Sequence, residues 1–125
     1  MTRIALCVLA VLLIIFTVPF AVYGTLSAFT GAQPPGGSNA AFFTGVLVSK
    51  LGTALTFVLI FNAARGALRN RWPAYAAMWW LMFAFGEIGQ AIGPSYSWPF
   101  AIAGIVSETI YLPLSALVTS KLLLP

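Results

Sequence analysis

Lys50, Glu87 and Glu108 each stand inside a long apolar run of a 125-residue chain, where an ionisable side chain is costly to keep. In the hydrocarbon core of a bilayer such a group needs a partner, a proton or contact with water, and it is by default a candidate for function. Counted from the uncharged ends of their runs, Lys50 lies about eight residues deep, Glu87 about six and Glu108 about eight, so at about 1.5 Å per residue the three share one level within a few Å. Two carboxylates and one ammonium leave a surplus negative charge that low dielectric disfavours. One glutamate is therefore expected to hold a proton or a cation, or to face water. Gln90 on the Glu87 segment and Tyr111 on the Glu108 segment complete a candidate ligand or proton site: Lys50, Glu87, Gln90, Glu108 and Tyr111. A purely structural role competes with it, in which Lys50 snorkels to the interface and protonated glutamates staple helices through backbone or Gln90.

Other chemistry is poorly served. The chain has no histidine, the commonest general base and the usual ligand of zinc and haem, so neither a metal nor a cofactor is expected. Cys7 is the only cysteine and lies in the first apolar run, where it reads as a small apolar filler and can form no disulfide within the chain. No glycine-rich stretch is followed by a basic residue at the spacing of a phosphate loop. No residue is assigned a catalytic role.

The elements that must position the candidate residues follow from composition. The chain is 61% hydrophobic and 6% charged, against about 25% charged in a soluble domain, which makes it an integral membrane protein. Residues 1–125 read as a single transmembrane domain, an all-α polytopic four-helix bundle with spans at about 4–23, 41–64, 73–93 and 100–121. The third run, PAYAAMWWLMFAFGEIGQAIG, carries Glu87, and Pro73 suits the first turn of its helix. The first run opens like a signal peptide, but it is long and lacks a small-x-small cleavage site, so it is read as a retained helix, kinked near Pro19. The connection from residue 24 to residue 40 contains the breaker cluster GAQPPGGSN and serves either as plain connection or as a lid over the outer mouth.

Small residues recur at helical spacing: Gly45, Ser49, Gly52 and Thr56 in the second span, Gly86, Gly89 and Gly93 in the third, and Ala101, Gly104, Glu108 and Ser115 in the fourth. Each stripe predicts a close helix contact, and with it Glu87 facing protein rather than lipid. Pro113 is expected to free a backbone carbonyl in the fourth span. Trp79 and Trp80 point about 100° apart, which leaves one at most for stacking on a ligand. Trp72, Tyr96 and Trp98 mark interfaces. The basic residues Arg3, Arg65, Arg69, Arg71 and Lys121 all fall on one side, so both termini are expected to be cytoplasmic. Their placement also argues against nucleic acid as a partner, despite a net charge of +4.

Four short spans, both termini inside, a long first outer loop and polar residues late in the third and fourth helices resemble the DoxX-like group of small bacterial membrane proteins. The resemblance covers the whole chain as architecture. It implies an accessory membrane subunit of a redox system in a bacterial or archaeal cytoplasmic membrane. It carries over no site residue, because no motif matches and the histidine in the first helix of many such proteins is absent here. Small multidrug exporters share the size, but their essential glutamate lies in the first helix, which has none in this chain. The functions expected are an accessory subunit of a membrane complex or a binder of a lipid-soluble molecule. The alternatives are a proton-coupled small transporter acting as a homo-oligomer, and an intramembrane isomerase using the paired glutamates.

Overall fold

In the computed structural model of the chain, residues 1–31 and 39–124 are described. Among them are five α-helices and no strand: α1 (Thr2–Thr30), α2 (Asn39–Ala63), α3 (Arg65–Leu68), α4 (Trp72–Ile92) and α5 (Trp98–Leu123). Three are long and apolar enough to cross a membrane, namely α1, residues 40–63 of α2, and α5. α4 has the length, 21 residues, but its tryptophans, Tyr75, Glu87 and Gln90 lower its hydropathy below that of the other three.

α5 is the central helix, packed along α1 on one side and α4 on the other, while α2 packs on α1. Its buried residues, from Ala101 to Ser120, cover roughly two-thirds of the helix circumference, which is possible because most are Ala, Gly, Ser or Thr. Successive long helices run antiparallel. Tyr23 near the end of α1 meets Phe100 at the start of α5, and Phe57 of α2 meets Tyr75 of α4. One end of the molecule thus carries the α4–α5 turn, and the other carries the arginines between α2 and α4.

The hydrophobic core lies toward the arginine end. Cys7, Val11 and Ile15 of α1 pack with Ala54, Phe57, Val58 and Phe61 of α2 and with Leu112 and Ala116 of α5. Tyr75 joins α2 to α4: its ring stands edge-on to Phe57 at 4.8 Å and to Phe61 at 5.2 Å, and its hydroxyl donates to Phe57 O at 2.5 Å. The core residues of α2 fall at i, i+3, i+4 and i+7, the spacing of one helical face.

Two expectations are corrected here. The first helix does not stop at residue 23. It continues through Gly24 to Thr30, where Gly31 closes it in the left-handed conformation with φ 68° and donates to Ser27 O. A lone glycine inside a helix costs only about 1 kcal/mol, too little to end it. Thr25 and Thr30 also turn their hydroxyls back onto Ala21 O and Leu26 O within the helix. The rest of the expected connection, residues 32–38 with its possible lid, lies outside the described residues.

The second correction concerns the glycines of the second and third spans. Gly45, Gly52, Gly86 and Gly89 are exposed, and a Cβ added to any of them would meet nothing within 4 Å. Small residues permit close approach without compelling it. The face of α2 that is buried is the one bearing Phe57 and Phe61, which removes far more apolar area from contact with lipid or water. Only the stripe on α5 is buried as expected, with Ala101, Gly104, Glu108 and Ser115 all inside.

Candidate functional site

The close contact between α4 and α5 is made at Gly104. A Cβ built there would lie 2.5 Å from Glu87 Cδ and Oε1 and 2.9 Å from Oε2, so the carboxyl of Glu87 occupies the space that any other residue would fill. One helical turn further along α5 is Glu108, 3% exposed and adjacent to Glu87. The Oε2 atoms of both glutamates are buried without a hydrogen-bond partner among the described residues. The two acids therefore sit side by side at the α4–α5 seam, where one proton held between them would satisfy both oxygens better than two negative charges.

Lys50 enters from α2. Its Nζ stands 5.4 Å from the centroid of the Tyr111 ring, on the face that attracts a cation. It acts on Glu108 and Glu87 through space rather than through a contact ion pair. On the turn side, the hydroxyls of Tyr23 and Tyr96 are 3.3 Å apart, Tyr23 donates to Phe100 O at 3.4 Å, and Tyr96 stands beside Glu87. Burial first, and then its Tyr23 and Glu87 neighbours, hold the Tyr96 phenol above its ordinary range, so it stays a donor.

Of the five residues singled out from sequence, Lys50, Glu87, Glu108 and Tyr111 come together and Gln90 does not. Gln90 is exposed, and its amide donates to Gly86 O of its own helix at 3.4 Å. Three residues along a helix is about 60° around it, which carries Gln90 off the α4–α5 seam. Tyr23, Tyr96 and Gly104 were not assigned to the site by sequence reasoning. The available signal was the placement of Tyr23 and Tyr96 near the uncharged ends of two apolar runs, together with a glycine one turn before a buried acid. The tryptophans are structural. Trp80 Nε1 donates to Thr109 Oγ1 at 2.9 Å, tying α4 to α5, and Trp79 packs on Phe57 and Phe83.

Beside this cluster is a cavity of about 400 Å³ between the later half of α1 and the first half of α2, lined also by Tyr96 of the α4–α5 turn and Phe100 of α5. It exists because α2 is held to the core only through its second half. Residues 40–49 are almost all exposed, whereas Ala54, Phe57, Val58 and Phe61 are buried. The walls are aromatic, chiefly Phe16, Phe20, Phe42, Phe43 and Phe100, with the buried Pro19. The polar side chains that line it are those of Lys50, Tyr23, Tyr96 and Ser27. Neither glutamate lines it. An apolar chamber with a few convergent polar groups is the usual form of a small-molecule site. Among the described residues no three of His, Cys, Asp and Glu gather into a metal-ligating group. The chain matches no family model, no characterised protein and no solved structure.

Proposed function

We propose that the protein binds a lipid-soluble small molecule in the aromatic cavity between α1 and α2, with the polar head of that molecule at Lys50, beside the paired phenols of Tyr23 and Tyr96. The observation that carries this reading is the meeting of an apolar chamber and a part-buried ionisable cluster at one level of the molecule. It acts as a polytopic membrane protein of four spans, α1, α2, α4 and α5, with both termini on the cytoplasmic side and the cavity in the outer half of the bilayer. The basic residues at the end opposite the cavity support that orientation. Exposed apolar side chains along α2, among them Leu47, Val48, Leu51, Leu55 and Leu59, give it a face for lipid, a second copy or a larger membrane complex to cover. As in the DoxX-like architecture it resembles, it serves as an accessory subunit rather than as the catalyst.

Proton exchange at the glutamate pair is a second reading, favoured by the direct neighbourhood of Glu87 and Glu108. Isomerase chemistry by the same pair is less well served, since neither carboxyl reaches the cavity wall.

Solvent extraction of the protein purified in mild detergent tests the first reading. A lipid-soluble molecule should recover at about one per chain, and Val46→Trp, which fills the cavity from its α2 wall, should lower that at least about fivefold. Equal recovery from Val46→Trp and wild type would remove the cavity as the site.

A further inference from the structure

We infer that the head group the cavity selects is an anion, carried on a single-chain or single-ring amphiphile, and that its binding draws one proton onto the glutamate pair. This rests on the reading of the cavity as a ligand site. Three observations support it.

The only charged side chain lining the cavity among the described residues is Lys50, and the two acids lie behind it, off the wall. Lys50 carries three N–H donors, and its described neighbour is the face of the Tyr111 ring at 5.4 Å, which engages the charge but accepts no ordinary hydrogen bond. The two phenols are already occupied, Tyr23 donating to Phe100 O and pairing with Tyr96. A carboxylate or similar oxyanion would therefore find in Lys50 an ammonium with its donors unspent, inside apolar walls where a charge-assisted hydrogen bond is strong.

Size and access restrict the rest of the ligand. A volume of about 400 Å³ is near the lower end of ligand sites and has room for one chain or ring system at a time. Phe20, Phe42 and Phe43 are wall residues that are also exposed on the outer surface of α1 and α2, so the chamber opens sideways, toward bilayer.

Proton uptake follows from the charges. The groups facing the glutamate pair are Lys50, Tyr23, Tyr96 and Tyr111, of which Lys50 alone is cationic. An anion on Lys50 takes up the one positive charge that balances the pair and adds a negative charge nearby. With one proton already held by the pair, the bound anion and the remaining carboxylate charge face a single ammonium, and that surplus in low dielectric is relieved by a second proton, from solution, adding to the remaining carboxylate.

The test uses the full chain in nanodiscs of zwitterionic lipid with two probes of equal length, the fluorescent polyene cis-parinaric acid and its alcohol. Val46→Trp supplies the background for partition into lipid. The acid should bind at least about tenfold more tightly than the alcohol, with close to one proton taken up per acid bound, read by a pH dye in weak buffer. Lys50→Met should remove the preference for the acid while alcohol binding persists, which also reports that the variant is folded, and Lys50→Arg should restore the preference. Equal affinity of wild type for acid and alcohol would overturn the anion inference and leave the cavity reading standing. Acid binding without proton uptake would overturn the coupling. Failure of both probes to bind above the Val46→Trp background would overturn the inference together with the reading beneath it.

Discussion

At the scale of single residues, Gly104 has the sharpest consequence. A methyl group there would collide with the Glu87 carboxyl, which is the end of a flexible side chain and can swing away. Gly104→Ala should therefore cost no more than about 1 kcal/mol, and that cost should vanish in a Glu87→Ala background. Thermal unfolding of the four members of this cycle in detergent measures it, and additive effects would mean that Glu87 does not rest on Gly104. Lys50 and Glu108 form a second cycle. Lys50→Met leaves the acid pair without its cation, and Glu108→Gln removes one of the acids, so the double variant should recover on the order of 1 kcal/mol relative to the sum of the singles. Independent effects would show Lys50 to be unconnected with the pair.

At the scale of elements, packing follows bulk rather than the glycine pattern. Gly52→Leu and Gly89→Leu, both on open faces, should each change stability by less than about 0.5 kcal/mol, whereas Ser115→Leu, in the fully buried face of α5, should cost about 1 to 3 kcal/mol. Thermal unfolding ranks the three, and a large loss at Gly52 or Gly89 would point to a contact between copies of the chain on that face. The bond from the Tyr75 hydroxyl to Phe57 O is a polar link between α2 and α4, and Tyr75→Phe should cost about 1 kcal/mol. The element boundary near Pro73 was legible, because proline in a first helical turn removes only an N–H that has no partner there. The end of α1 was not legible from Gly24, since a helix-weakening residue ends a helix only where something else replaces the lost hydrogen bonds. Gly31 does so in the left-handed conformation.

At the scale of the whole molecule, orientation is open to direct measurement. In a Cys7→Ser background, a membrane-impermeant thiol reagent on intact cells should label Ser97→Cys in the α4–α5 turn and leave Asn70→Cys, between α3 and α4, untouched. Labelling of Asn70→Cys alone would reverse the orientation and move the cavity to the cytoplasmic half. The open angle between α1 and the first half of α2 is likewise a property of the assembled molecule. No local pattern distinguishes residues 40–49, which stand away from the core, from residues 54–61, which build it.

Sequence by itself determined that the protein is all-helical and has segments able to cross a membrane, because 61% apolar content in long runs admits no other way to satisfy the backbone in lipid. It also determined that Lys50, Glu87 and Glu108 share a level, since depth along a helix is a count of residues. Which side of each helix faces inward was decided only by tertiary packing. That choice depends on the total area buried by residues far apart in the chain, and it turned Gln90 and four glycines outward. It also seated Glu87 on Gly104, and it brought Tyr23 and Tyr96 together beside a cavity that no single helix contains.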